Sequence, residues 1–183
     1  MLDAQGKAGL AFGVAQNMRY YESLHVMRQW IAEGRIGAPL LGHSQFCYNA
    51  EGSPRQWIYD PTLALGGPIG DVAIHCIDAL RFVLGGTHVA EVSTLAHTDA
   101  LSGPVESHAV VALNFSSGTM GAVTVTTRGD YRSYVEVTGE DVYKRQWITC
   151  MGMATRSAAP TTILLKRGPL WIGLRANREP NNS

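Results

Sequence analysis

Three polar residues stand at helical spacing in an otherwise apolar stretch. They are Asp71, His75 and Asp78, within Leu65-Gly66-Gly67-Pro68-Ile69-Gly70-Asp71-Val72-Ala73-Ile74-His75-Cys76-Ile77-Asp78. On an α-helix, residues four apart lie one above the other, so i, i+4, i+7 makes one polar stripe. An Asp one turn before a His is a sensible acid–base pair, because imidazole titrates near neutral pH and can take a hydroxyl proton and return it. Asp71, near the helix N-terminus, gains from the macrodipole and can accept hydrogen bonds from a hydroxyl-rich ligand. The glycines before it let backbone and ligand approach closely. Two other readings share the spacing. One is an N-capping Asp with a hydrogen-bonded core His. The other is an i, i+4 zinc pair, for which no third or fourth ligand follows at a typical spacing. Gly66-Gly67-x-x-Gly70 is not G-x-G-x-x-G and follows a loop, so it does not read as a dinucleotide-binding turn.

The element that must position this stripe is a helix over about 68–84. Val72, Cys76, Ala79 and Val83 form an apolar stripe, widened by Ala73, Ile77, Leu80 and Leu84. A helix apolar over so much of its girth is mostly buried, and its polar stripe must face a partner or a cleft. Upstream, a short helix turns at Ala8-Gly9 into an apolar run from Leu10 to Ala15 that reads as a short strand. A second helix is expected over about 21–34, with Leu24, Met27 and Ile31 at i, i+3, i+7 and Gly34 as its stop.

Residues 38–49 read as a long strand, with Leu41, His43, Gln45 and Cys47 on one face. Leu40, Ser44, Phe46 and Tyr48 alternate more loosely on the other. A loop over 50–66 holds Pro54 and Pro61. Extended segments follow at about 88–97, 106–116, 119–127 and 133–138, with Ser117-Gly118 as a hairpin turn. The expected class is α+β: a mostly antiparallel open sheet with helices on one face.

Fifteen basic side chains balance fifteen acidic ones, so no net field draws in nucleic acid or an anionic membrane. No apolar run approaches the roughly 20 residues that span a bilayer. Cys47, Cys76 and Cys150 are odd in number and far apart, which reads as buried free thiols in a reducing cytoplasm rather than a disulfide framework.

Four pieces in order carry a family resemblance: Gly-x-x-x-Gly-Val-x-Gln-Asn-x-Arg-Tyr ending at Tyr20; Glu33-Gly34-Arg35-Ile36-Gly37; Trp57-x-x-Asp60-Pro61; and Gly66-Gly67-x-x-x-Asp71-x-x-x-His75-x-x-Asp78. Over about residues 1–140 the chain resembles the glucose–fructose oxidoreductase / inositol dehydrogenase (Gfo/Idh/MocA) family. The resemblance implies an NAD(P)-dependent oxidoreductase acting on a sugar, polyol or related secondary alcohol. It implies His75 as the proton-transferring residue and Asp71 as the substrate-binding aspartate. Asn17, Arg19 and Trp57 match positions bordering the nicotinamide, so they are the expected cofactor-binding residues. Ile58 follows Trp57 where relatives often carry Arg, and Asp78 is assigned a structural hydrogen bond. Arg19 also reads as a solvated helix-start cation, and Trp57 and Trp30 as core or cover residues. His25, His43, His88, His97 and His108 have no partner pattern. A homodimer through the sheet face is implied by the resemblance alone.

The family's glycine-rich phosphate loop and its Glu-Lys-Pro-like segment are not in this sequence. Residues 1–16 are therefore expected to be the tail end of a dinucleotide-binding domain, and 17–140 the substrate-binding domain, with most of the NAD or NADP site in a preceding domain. Asp141-Val142-Tyr143-Lys144-Arg145-Gln146 is what GAT GTG TAT AAG AGA CAG encodes, which resembles a transposon-end adapter. Residues 141–146 are therefore expected to be a scar outside the fold. Residues 147–183 are open between native, chimeric and out-of-frame sequence, with a strand expected at Thr161 to Lys166 and a disordered end from Asn177. The rival reading is a non-catalytic binding or dimerisation module of the same fold. A metal-dependent hydrolase built on Asp71 and His75 is a third.

Overall fold

The computed structural model describes residues 2–64, 66–141, 147–151, 162–167 and 170–175, the last three segments as strand backbone. Helix α1 (Leu2–Ala8) buries no residue. Helices α2 (Glu22–Ala32) and α3 (Ile74–Val83) pack against one face of the sheet. The strands are β1 (Pro39–Asn49), β2 (Val89–His97), β3 (His108–Phe115), β4 (Met120–Thr126), β5 (Arg128–Gly139), β6 (Trp147–Met151), β7 (Thr162–Arg167) and β8 (Leu170–Arg175). They form one sheet in the order β2-β3-β4-β1-β5-β6-β7-β8. The class is the α+β, mostly antiparallel open sheet expected from the sequence.

One pairing departs from a run of hairpins. Strand β1 is inserted between β4 and β5 and runs parallel to β4, with His43 opposite Ala122 and Gln45 opposite Thr124. A parallel pair cannot close through a tight turn. Here the crossover from β1 to β4 carries the loop 50–66, α3 and the β2–β3 hairpin. That connection delivers Asp71, His75 and Asp78 to one side of the sheet.

Local signals explain most elements. Helix α2 buries Leu24, Met27 and Trp30, with Ile31 only partly covered. It ends where Gly34 takes φ +70, a conformation L side chains rarely adopt. There Gly34 N–H reaches the Ile31 carbonyl and Arg35 N–H reaches the Trp30 carbonyl, at 2.9 and 3.0 Å. In β3 the period is strict: Ala109, Val111, Leu113 and Phe115 are buried while the residues between them are exposed. The Ser117-Gly118 turn closes β3 onto β4, with Phe115 N–H on the Thr119 carbonyl at 3.0 Å. Face parity in β1 follows the sequence as well, since buried Gly42 and Ser44 lie against α3, where a Cβ on Gly42 would sit 3.0 Å from Leu80 Cδ2.

The run Leu10 to Ala15 is a correction. Helix α1 does end at Gly9, but residues 10–15 form no strand, and Leu10, Phe12 and Val14 are exposed. A strand needs a neighbour for its ladder, and no described strand lies beside this run. At the other end, the Thr161 to Lys166 expectation meets β7, displaced by one residue. Residues 142–146 and 176–183 lie outside the described residues. Asp141 N–H still donates to the Ile36 carbonyl at 3.2 Å.

Candidate functional site

The helix expected over 68–84 is built in two parts. Ile69–Ala73 forms a π turn, and α3 continues from Ile74. Such turns are rare and recur at functional sites. Asp71 lies within it, one turn ahead of His75. The apolar girth is buried as expected, with Val72, Ala73, Cys76, Ala79, Leu80 and Val83 in the core. Gly67 sits where a Cβ would lie 2.0 Å from the Glu106 carbonyl oxygen, so only glycine fits. The close approach it allows is therefore to another stretch of chain. Glu106 accepts from Ile69 N–H at 3.1 Å, satisfying a donor at the start of the π turn.

Each member of the polar stripe has a partner. Tyr48, at the end of β1, donates its hydroxyl to Asp71 Oδ2 at 2.5 Å. The Arg55 guanidinium donates to Asp71 Oδ1 and lies 5.4 Å from the centre of the Trp57 ring. The Asp71 side chain is 13% exposed and the Arg55 side chain 45%. Burial, and then the hydrogen bond to the Asp71 carboxylate, push the Tyr48 phenol well above its ordinary range. His75 Nδ1 faces Gln16 Oε1 at 3.0 Å. Asp78 receives a fork from Arg19, Nε to Oδ2 at 2.7 Å and an Nη to Oδ1 at 2.5 Å. That fork raises the Arg19 guanidinium further above its already high range. Asp78 therefore has the structural hydrogen bond the sequence assigned it.

Among the expected cofactor contacts, Asn17 is exposed in the turn Asn17–Tyr20, directly after Gln16. Trp57 is 45% exposed. Arg19 commits two of its nitrogens to Asp78. Sequence reading missed Tyr48, Arg55 and Gln16. Tyr48 had a weak signal, because strand parity put it on the same face as Ser44, which the structure turns to α3. The other two reach the stripe from loops. Cys47 and Cys76 are buried free thiols, and burial pushes Cys76 up to about 11. A groove on the opposite face of the sheet, lined by Gln45, Cys47, Leu95, His97, His108 and Thr124, carries none of these site residues.

The loop bearing Arg55 and Trp57 is latched from below. Arg128 donates to both carboxylate oxygens of Asp99, at 2.8 and 3.0 Å, and to the Tyr59 hydroxyl at 3.0 Å. The Arg128 fork, with the Ser102 N–H, holds the Asp99 carboxyl far below the usual range. A depressed folded-state pKa adds stability that is complete above the unfolded value of about 3.9 and is lost progressively as pH falls from there through the depressed folded value. Asp99→Asn is thus expected to lower the melting temperature at neutral pH, and the gap to the parent should narrow by about pH 3. Melting curves at both pH values check this; a gap that stays constant contradicts it.

Residues 24–143 match the GFO/IDH/MocA C-terminal domain. A 1,5-anhydro-D-fructose reductase from Ensifer adhaerens is 31% identical over 119 residues, covering 64% of this chain and 35% of that protein. The aldose-aldose oxidoreductase of Caulobacter crescentus, solved with glycerol, gives a TM-score of 0.79 at 20% identity, over 100% of this chain and 51% of its own. An inositol dehydrogenase homolog from Azotobacter vinelandii, solved with NAD+, gives a TM-score of 0.75 at 20% identity, over 89% of this chain and 43% of its own. At such identities the structural likeness carries the fold. The chain spans about a third to a half of the length of these proteins. The match runs from α2 past β5 and takes in the whole polar stripe, and on that basis the chain belongs to the GFO/IDH/MocA family, as its C-terminal domain.

Proposed function

We propose that this chain is the substrate-side part of an NAD(P)-dependent oxidoreductase acting on a secondary alcohol of a sugar, polyol or related compound. In this reading residues 1–16 end a dinucleotide-binding domain and residues 17–140 form the substrate domain. The observation that carries it is the pairing of an acid–base imidazole with a carboxylate one turn away, both held by partners rather than buried idle. The proteins it resembles act on or were solved with compounds of this kind: 1,5-anhydro-D-fructose, aldoses and glycerol.

The residues present fit the nicotinamide end of a dinucleotide. Asn17, next to Gln16, and Trp57, under Arg55, are exposed and would border it, with the third nitrogen of Arg19. When bound, the nicotinamide supplies the hydride acceptor or donor. This chain's residues handle the oxygen. Asp71 carries about four lone-pair sites and uses two on Tyr48 and Arg55, so it can still accept from substrate hydroxyls. His75 Nε2 would take the hydroxyl proton of the substrate during oxidation, and the imidazolium so formed would return that proton to water. Tyr48 and Arg55 hold the Asp71 carboxylate in one orientation, which lowers the ordering cost of binding.

Asp71 is assigned to binding, so Asp71→Asn is expected to raise KM for the sugar or polyol about 10-fold or more, the loss of one hydrogen bond to a charged group. Its effect on kcat should be smaller. Steady-state kinetics on the chain joined to its nucleotide-binding domain read both constants. A fall confined to kcat would move Asp71 from binding to chemistry.

A further inference from the structure

We propose that Gln16 is a positioning residue that fixes the tautomer of His75, putting the proton on Nδ1 and leaving Nε2 with its lone pair. The inference rests on the proton-transfer reading of His75 for its consequence, though not for its geometry. Gln16 Oε1 lies 3.0 Å from His75 Nδ1. An amide oxygen only accepts, so the ring nitrogen facing it must donate. In the neutral ring one nitrogen carries the proton and the other does not, and the partner of the first decides which. A free histidine side chain prefers the opposite tautomer, with the proton on Nε2. A His75 without this contact would thus present mostly the wrong nitrogen for accepting a hydroxyl proton.

The surrounding structure holds Gln16 in place. Two residues on, Met18 is buried, and Arg19 next to it is forked onto Asp78. Arg19 N–H also donates to the Gln16 carbonyl at 3.1 Å, so the backbone at 16 is set from two sides. Gln16 and His75 are 59 residues apart and both half-buried. The charges nearby are paired with one another. Asp71 faces Arg55 and Tyr48, and Asp78 faces Arg19, while the imidazole alone meets a neutral amide. A carboxylate at position 16 would orient the ring equally well but would also stabilise the imidazolium.

The direct test is side-chain nitrogen NMR on the ¹⁵N-labelled full chain at alkaline pH, with His75 assigned from His75→Asn. The expected result is a protonated Nδ1 and an unprotonated Nε2 in the parent. Gln16→Leu should return the ring to Nε2–H, and Gln16→Glu should keep Nδ1–H. If Gln16→Leu fails to fold, Gln16→Ala removes the same acceptor and is read in the same way. A parent in the Nε2–H form, or a tautomer that Gln16→Leu leaves unchanged, overturns the proposal. With the nucleotide-binding domain joined, Gln16→Leu should lower kcat about 10–100-fold with KM little changed, the usual cost of losing a partner that orients a histidine. Gln16→Glu should restore most of that turnover and move the acidic limb of the kcat profile up by about one pH unit or more. If the NMR result holds while Gln16→Leu leaves turnover intact, the tautomer assignment stands and the proton-transfer role of His75 falls.

Discussion

Replacing His75 with Ala is expected to lower turnover by roughly 10²–10⁴-fold, the usual range for one acid–base group. The protein assayed is this chain joined to its nucleotide-binding domain. Hydride leaves carbon readily only as the hydroxyl proton departs, so a base must stand within hydrogen-bond reach of that oxygen. Among the described histidines, His75 alone shares a helix stripe with a carboxylate on each side, Asp71 and Asp78. Both carboxylates are already engaged by arginines, Asp71 by Arg55 and Asp78 by Arg19. Ala is a strong helix former, and position 75 is the second residue of α3, so the fold and cofactor affinity should change little. Near-normal turnover of His75→Ala across about pH 6–9 would return His75 to the role of a hydrogen-bonded core histidine.

The largest stability effect is expected at the far end of the core. Phe115 closes β3, is 1% exposed, and lies over Gly121, where an added Cβ would come within 2.9 Å of its ring. Phe115→Ala removes the ring and leaves a cavity that two strands and a hairpin turn cannot collapse to fill. The expected cost is about 3–5 kcal/mol, a large part of the roughly 5–15 kcal/mol that holds a domain folded. For a chain of this length that is a fall of about 6–20 °C in melting temperature. Val110→Ala, on the exposed face of the same strand, should fall within about 0.5 kcal/mol of the parent. Equal losses at the two positions would contradict the assignment of the inner face.

What was legible in the sequence was what neighbouring residues decide. The girth of α3 follows from Val72, Cys76, Ala79 and Val83, the stop of α2 from Gly34, and the β3–β4 hairpin from Ser117-Gly118. The strand parity that put Ser44 and Tyr48 on the same face needed only a period of two. What distance decides was not legible. Insertion of β1 beside β4 is a pairing across nearly 80 residues, Leu41 opposite Met120, and no local pattern encodes it. The run Leu10 to Ala15 has the composition of a strand, but a strand also needs a partner. The π turn at Asp71 has no composition signature. At the site, the stripe itself could be read because Asp71, His75 and Asp78 share one helix. Its partners Gln16, Arg19 and Tyr48 come from segments 59, 59 and 23 residues away, and only Arg19 had been singled out. The glycine run before Asp71 looked like room for a ligand, whereas Gly67 makes room for the Glu106 carbonyl.

The most direct test of the account is an oxidation assay with the chain joined to its nucleotide-binding domain. NAD+ and NADP+ are offered in turn with a panel of pyranoses, inositols and linear polyols. The absorbance of reduced nicotinamide is followed, and the carbonyl product is quantified in the same samples. The account predicts that at least one sugar or polyol gives one reduced nicotinamide per carbonyl formed, and that His75→Ala in the same protein loses that signal. A folded protein that binds the nicotinamide and the sugar or polyol yet forms no carbonyl with any of them, or forms it equally well without His75, would contradict it.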